Sequence, residues 1–200
     1  MKILPGLSAG LIKVPQSIIK KVKRTFFSFA LVLLVVTMTA GQKFTTEKGE
    51  ITFFSDAAIE DIKAVNNVIG SLFNVATSEV VFIVKIRDFT FDKSLMREHF
   101  NEKYLESEKY PKATFQGKVN GYTHGAAAQQ NVKAVGKLSI HGVTRDVDVP
   151  GTMQLVNNKL LLKAKFKVKL ADYNVKIPTI VWQNIAEEVE VTVDFIYKPL

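Results

Sequence analysis

Apolar and polar residues alternate with a period of two along most of the chain. The clearest segment is Lys159–Leu170, in which leucine, alanine, phenylalanine and valine alternate with lysine. The same alternation recurs in residues 113–119, 132–140, 147–155 and 188–197. A period of two places successive side chains on opposite faces of a β-strand. Each segment therefore predicts a strand with one apolar face and one solvated face.

A few further segments complete the predicted secondary structure. Residues 50–55 and 66–75 alternate more weakly, and residues 79–91 are apolar on both faces. Lys93–Tyr104 has a helical period, and Asp92 is a suitable N-cap for it. We expect this helix to cover the strand before it, because the second apolar face of that strand needs burial.

Turn sequences separate the strands at short intervals. They occupy residues 47–49, 120–121, 141–142, 150–151 and 157–158, and each contains glycine or asparagine. Roughly eight or nine one-sided strands joined by hairpins can pack as a sandwich or close into a barrel. Closure removes exposed strand edges. The pattern therefore favours an all-β, antiparallel closed barrel of about eight strands, partly covered by one short helix.

The basic charge of the chain lies mostly in its first 41 residues. They carry six of the 27 lysines and arginines and no acidic residue, so the net charge of +8 falls to +2 for the remainder. A nearly neutral domain lacks the phosphate-neutralising surface of a nucleic-acid-binding protein. We therefore expect no nucleic acid partner.

Residues 1–41 also have the pattern of an export signal. A basic cluster at 20–24 precedes the apolar segment Phe26–Met38, which is shorter than the ~20 residues of a transmembrane helix. Small residues follow and provide a cleavage site, which leaves 42–200 as a single barrel domain. We expect a periplasmic or secreted protein, with a retained N-terminal anchor as the alternative. The chain has no cysteine, so neither disulfides nor a lipidated cysteine can stabilise or anchor it.

The apolar face of the predicted barrel is where a ligand would bind. Several positions on this face carry only alanine or glycine, namely Gly117, Ala134, Gly136 and Ala164. Such small residues leave internal volume. The predicted barrel lining consists of Phe82, Val84, Phe115, Leu138, Ile140, Phe166, Val168, Val191 and Phe195. The predicted tunnel ends, in the helix and in the irregular segment 173–185, are Met96, His99, Phe100, Ile180 and Trp182.

Two sequence motifs resemble those of the YceI-like family of exported, lipocalin-like barrels. Lys109–Phe115 is similar to the family's Lys-Tyr-Pro strand entry, and Leu138–Val147 is similar to its His-Gly-Val-Thr hairpin. A helix with a histidine, here Met96–Phe100, also precedes the strand entry. The resemblance spans roughly residues 43–198. It implies a lipocalin-like barrel whose apolar tunnel holds an isoprenoid chain, such as that of a quinone or a polyprenyl phosphate, or another amphiphile.

The lining and the resemblance together predict an exported protein that binds a lipid for carriage or storage. We expect an amphiphilic lipid as partner, no cofactor, no metal and no enzymatic activity; transient membrane contact and a homodimer stay open. Two alternatives are compatible with the sequence. The first is a packed structural or interaction barrel of the cell envelope. The second is a lipid-modifying enzyme that uses His99 or His141 at the barrel mouth.

A row of lysines on one strand has two interpretations. Its members are Lys163, Lys165, Lys167 and Lys169. The row would suit a docking strip for anionic lipid headgroups. It is also typical of a solvated strand face whose charges prevent edge pairing, and we favour this second interpretation because acidic residues on other strands nearly neutralise the domain.

Overall fold

The strands of the computed structural model form one antiparallel sheet that closes on itself. The structure describes residues 42–56, 61–177 and 186–200, and ten strands pair within these ranges. The predicted leader, residues 1–41, lies outside them. The strands are β1 (Lys43–Ser55), β2 (Ile62–Asn66), β3 (Ile69–Asn74), β4 (Glu79–Lys85), β5 (Thr90–Phe91), β6 (Lys112–Asn120), β7 (Gln130–Ile140), β8 (Val143–Val156), β9 (Lys159–Lys169) and β10 (Glu188–Pro199).

Pairing between β1 and β10 closes the barrel. It extends from Phe44 opposite Pro199 to Phe54 opposite Glu190. β2 and β3 lie one after the other along the remaining side of β1 and together act as one strand. The ring is therefore an eight-stranded antiparallel barrel, and the short β5 pairs with the free side of β2. This confirms the predicted all-β closed barrel.

Two hairpin turns have the left-handed backbone that their sequences indicate. His141 and Gly142 connect β7 to β8 with φ of 50° and 75°. Asn157 and Asn158 connect β8 to β9 with φ of 50° and 61°. Two-residue hairpins prefer asparagine and glycine because these residues tolerate positive φ at low cost. Among residues other than glycine, histidine is one of the few that are enriched at positive φ, and the side chain of His141 has a specific role described below.

The turns predicted at residues 47–49 and at Pro150–Gly151 are wrong, because β1 continues through the first and β8 through the second. Pro150 is exposed on the outer face of the barrel, opposite Lys133. The inward alternation passes from Val149 through Gly151 to Met153 without a break. Period-two burial therefore outweighs the local turn preference of the dipeptide.

The helical segment has nearly the predicted extent, but only its first part is α-helical. α1 covers Ser94–His99 and continues as one π-helical turn over Phe100–Tyr104. Its N-cap is Lys93 rather than Asp92, and no side chain caps it. Among the described residues, no helix has both the length and the apolar character needed to cross a bilayer.

A layer of large side chains fills the end of the barrel where β1 begins and β10 ends. We call this layer the floor; its members are Phe44, Phe73, Met153, Leu160, Phe195 and Tyr197, each at most 1% exposed. The Tyr197 hydroxyl lies 2.7 Å from Oγ of Ser71, which donates to the Val81 carbonyl. Burial raises the pKa of Tyr197, so its hydroxyl stays neutral and keeps this hydrogen bond.

Cross-strand ion pairs cover the outer face of β7 to β10. Lys163 pairs with Asp194 at 3.0 Å, and Lys165 pairs with Glu190 at 2.8 Å. Further pairs join Lys133 to Asp148, Lys137 to Asp146 and Lys167 to Glu188. The lysine row is therefore a solvated face, and three of its four lysines pair with acidic residues of β10. Exposed pairs of this kind contribute about 0–1 kcal/mol each.

Replacement of Gly136 by alanine should destabilise the barrel. A Cβ on Gly136 would clash with the Gln116 carbonyl oxygen and lie 2.5 Å from Cα of Gly117. Because these are backbone atoms, we expect a loss of about 1–3 kcal/mol in the free energy of unfolding. Gly70→Ala is the matched control, since no atom lies within 4 Å of its Cβ position. Urea unfolding should separate the two variants, and an equal effect would contradict the close approach of β6 and β7.

Candidate functional site

A cavity of about 520 Å³ occupies the barrel between the floor and α1. It begins at Val80, Val119 and Val132, next to the floor, and extends to Leu95 and Met96 on the helix. Most of its described lining is apolar, as expected from the inward faces of the strands. Its volume lies within the range of about 300–1,000 Å³ that is typical of small-molecule sites.

The structure places most residues of the predicted lining on the cavity wall. Those that line it are Phe82, Val84, Phe115, Leu138, Ile140, Phe166, Val168 and Val191. Of the predicted tunnel ends, Met96, His99 and Phe100 line the cavity at its helix end, which we call the mouth. Ile180 and Trp182 lie outside the described residues. Sequence alternation thus identifies inward positions, but it does not tell how far along the barrel each one lies.

Phe195 points into the barrel as predicted, but it does not line the cavity. Its ring belongs to the floor, where it is fully buried and packs edge-on against Phe82 with centroids 5.1 Å apart. Gly49 on the neighbouring strand makes room for it, because a Cβ there would lie 2.7 Å from Cζ of Phe195. A glycine on one strand therefore lets an aromatic ring on the next fill the barrel cross-section.

The small residues contribute to the cavity unequally. Ala134 and Ala164 line it, as expected for positions that leave volume inside. Gly117 and Gly136 face each other across β6 and β7 and are not part of its lining. The tip of the Phe115 ring would lie 2.8 Å from a Cβ on Gly117, so this ring takes the space that the glycine leaves.

Four phenylalanines hold the end of α1 and the start of the π-helical turn against the barrel. Phe53 of β1, Phe89, Phe91 of β5 and Phe100 form a cluster in which Phe53 stacks on Phe100 at 5.3 Å. All four line the cavity. Aromatic pairs at such distances contribute about 0.5–1.5 kcal/mol beyond their burial. Phe53, Phe89 and Phe91 are absent from the predicted lining. The pattern of residues 79–91 predicts one strand, whereas β4, a 3₁₀ turn and β5 occupy this range and turn Phe89 and Phe91 inward.

His141 connects the segments around the mouth from outside the cavity. Its Nδ1 donates to the Tyr173 carbonyl at 3.2 Å, and its Nε2 lies 2.7 Å from a carboxylate oxygen of Glu106. The ring also packs edge-on against Tyr110, with centroids 4.5 Å apart. Its side chain is only 9% exposed. We call this set of contacts the latch.

The latch explains why two separated sequence motifs occur together. Tyr110 comes from the strand-entry motif, and His141 and Gly142 come from the hairpin motif. A Cβ on Gly142 would lie 2.5 Å from Cε1 of Tyr110, so the tyrosine ring packs directly on the turn. The left-handed backbone of His141 turns its side chain toward Glu106 and Tyr173. The histidine therefore holds the mouth segments in place.

The described lining offers few groups for catalysis. His99 faces the cavity, and its Nε2 lies 3.4 Å from Nζ of Lys103. The described lining contains no carboxylate that could orient His99 as a base. Among the described residues, no three histidine, aspartate or glutamate side chains cluster as metal ligands. Burial raises the pKa of the Tyr104 and Tyr173 hydroxyls, so both stay neutral donors at the mouth.

His141→Ala should loosen the mouth and lower stability. The variant removes one hydrogen bond to a carbonyl and one to a carboxylate from a nearly buried site. We expect a loss of about 2–3 kcal/mol in the free energy of unfolding. His124→Ala, at an exposed histidine, should change stability by less than about 0.5 kcal/mol. Thermal unfolding of both variants checks this, and a neutral His141→Ala would argue against the latch.

Comparison with known proteins agrees with this architecture. The family model of the YceI-like domain matches residues 20–197. No curated protein matches the chain. A polyisoprenoid binding domain from Saccharophagus degradans, implicated in plant cell wall breakdown, superposes with a TM-score of 0.68 at 16% identity, covering 78% of this chain and 98% of that one.

Two further solved structures have the same fold. Burkholderia cenocepacia BcnA gives a TM-score of 0.63 at 17% identity, covering 74% of this chain and 95% of its own. The Campylobacter jejuni YceI protein gives 0.56 at 17% identity, covering 71% of this chain and 86% of its own. The family match spans the closed barrel, its cavity and the latch. The chain therefore belongs to the YceI-like domain family.

Proposed function

We propose that this protein binds a long-chain lipid, an isoprenoid or a similar amphiphile, in the barrel cavity. The observation that carries the proposal is the cavity of about 520 Å³ with a mainly apolar described lining. A fully packed barrel, as expected of a structural or interaction module, would lack this volume. The polyisoprenoid binding domain of Saccharophagus degradans, which shares the fold, supports the same ligand class.

Burial of the chain supplies the binding free energy. Each methylene that moves from water into an apolar site contributes about 0.8 kcal/mol, so a few isoprene units suffice for useful affinity. The cavity extends from Val80 beside the floor to Met96 at the mouth, which suits an elongated guest. Because the floor side chains are at most 1% exposed, the guest enters by the mouth.

The mouth suits a polar headgroup. Lys93, His99, Tyr104 and Tyr173 line this end of the cavity, whereas the deep part is lined by valines, phenylalanines and leucines. A headgroup placed there keeps its hydrogen bonds while the chain occupies the apolar interior. This arrangement holds a ligand without any covalent chemistry, and it supports carriage or storage rather than turnover.

Export is the second part of the proposal. The basic cluster and apolar segment of residues 1–41 support transfer of the barrel to the periplasm or the exterior. A carrier in an aqueous compartment between or outside membranes needs a closed apolar interior to shield its lipid from water. The barrel described above has such an interior. Since the chain contains no cysteine, packing and strand pairing stabilise it without disulfides.

Ala134→Phe should fill the cavity and remove lipid binding. The added ring enters the middle of the cavity, where Ala134 faces inward on β7. Val135→Phe is the matched control, because Val135 is 43% exposed on the outer side of the same strand. Organic extraction of each purified protein, followed by mass spectrometry and by a titration with geranylgeraniol, measures bound lipid. We expect lipid in the wild type and in Val135→Phe, and a loss of at least tenfold in Ala134→Phe.

Two results of that experiment would contradict the proposal. One is a wild-type protein that carries no lipid and takes up no geranylgeraniol. The other is unchanged uptake by Ala134→Phe while its thermal unfolding stays cooperative, because binding would then occur outside the barrel. A folded Ala134→Phe protein is thus required, and the cooperative transition provides that control.

Trp182 provides an independent test of the tunnel end. It is the only tryptophan of the chain, so its fluorescence reports on one position. If Trp182 borders the mouth, a prenyl benzoquinone bound in the cavity should quench it, and Ala134→Phe should prevent the quenching. No quenching in the wild type would place Trp182 away from the bound ligand, and equal quenching in both proteins would show that the quinone reaches Trp182 from outside the cavity.

A further inference from the structure

The outer surface of β3 and β4 is apolar, in contrast to the ion-paired surface of β7 to β10. Leu72 lies directly opposite Val81, and Gly70 lies opposite Ile83. Val68, just before β3, is 63% exposed, Leu72 is 51% exposed and Ile83 is 44% exposed. No atom lies within 4 Å of a Cβ built on Gly70, so the surface there is open. We call these five residues the β3–β4 patch.

The residues directly opposite the patch on β6 and β1 are uncharged, and Glu79 opposite Lys118 marks its floor end. On β6, Gln116 lies opposite Val81 and Thr114 lies opposite Ile83. On β1, Thr45 lies opposite Leu72. Contiguous apolar surface of this kind on a soluble barrel marks a contact with a partner rather than with water.

Two lysines border the patch at the mouth end of the barrel. Lys85 of β4 lies directly opposite Lys112 of β6. Neither forms an ion pair among the described residues, whereas the lysines on the outer face of β7 and most of those on β9 do. Like charges directly opposite each other destabilise a strand pair. An external anion would offset this repulsion.

The lysine end of the patch lies at the same end of the barrel as the cavity mouth. Val84 stands between Ile83 and Lys85 in β4 and points inward, where it lines the cavity. Leu95 of α1 is 58% exposed and also lines the cavity. A surface that covers the patch would therefore lie beside the opening through which a lipid enters.

We propose that the β3–β4 patch, with Lys85 and Lys112, docks the barrel onto an anionic phospholipid bilayer. Apolar side chains enter the interfacial region of a bilayer, and lysines bind its phosphate headgroups. A second copy of the chain is the alternative occupant of the patch, and the labelling experiment below distinguishes it from a bilayer. The docking surface does not depend on which ligand the cavity holds.

Single-cysteine labelling tests this contact. The chain has no cysteine, so Leu72→Cys, Ile83→Cys and Val135→Cys each give one labelling site for an NBD fluorophore. Val135 on β7 is the matched control, because its exposed fraction of 43% is nearly that of Ile83, 44%, while it lies outside the patch. The full chain is used throughout, so residues 1–41 contribute equally to every variant. The vesicles contain phosphatidylethanolamine and phosphatidylglycerol, with a nitroxide-labelled lipid as quencher.

The labels at positions 72 and 83 should be quenched by the nitroxide lipid, and the label at position 135 should not. Equal quenching at all three positions, or none at any, would overturn the proposal. A blue shift of the labels at 72 and 83 that rises with protein concentration in the absence of vesicles would also overturn it, because a second copy of the chain would then cover the patch.

The two lysines are tested by charge variants of equal net charge. Lys85→Gln with Lys112→Gln should weaken binding to the anionic vesicles at least tenfold, since each surface lysine accounts for roughly fivefold. Lys163→Gln with Lys165→Gln, which removes two ion-paired lysines, should have a much smaller effect. An equal loss of vesicle binding in both double variants would show that net charge, rather than this surface, attracts the bilayer. Unchanged binding of the Lys85→Gln, Lys112→Gln variant would contradict the proposed contact between these lysines and the bilayer.

Discussion

Backbone pairing between β1 and β10 is the interaction on which the rest of the barrel depends. It joins the first and last described strands over Phe44–Phe54 and Glu190–Pro199, and it turns an open sheet with two free edges into a ring. Closure makes the apolar faces of all eight strands converge on one interior. The floor, the cavity and the ion-paired outer face of β7 to β10 all follow from that geometry.

The interior is divided because its side chains differ in size along the barrel axis. Aromatic and long aliphatic residues fill the floor completely, with Phe195 lying over Gly49. In the middle, Ala134 and Ala164 replace large side chains and leave space. At the mouth, α1 has no buried residue and is held by the phenylalanine cluster and by the segments that His141 connects. A fully buried floor and a cover without buried residues would suit the proposed lipid site.

Period-two alternation predicted the fold well because burial on one face of a strand is a strong constraint, as β9 and β10 illustrate. Local turn preferences were less reliable: Pro150–Gly151 lies inside β8, since the alternation on either side continues through it. Depth along the barrel could not be read from the sequence, so Phe195 was placed beside the cavity instead of in the floor. The latch also needed the structure, because Glu106, Tyr173 and His141 are brought together only by the closed ring.

The central claim is that an apolar guest occupies the interior of the barrel. Isotope-filtered nuclear Overhauser spectra of the ¹³C-labelled protein with unlabelled geranylgeraniol test it most directly. Our account predicts contacts from the isoprenoid to the methyl groups of Val84, Leu138 and Val168, which line the cavity. Contacts confined to exposed methyl groups such as those of Val135 and Val156, or no contacts at all, would contradict it.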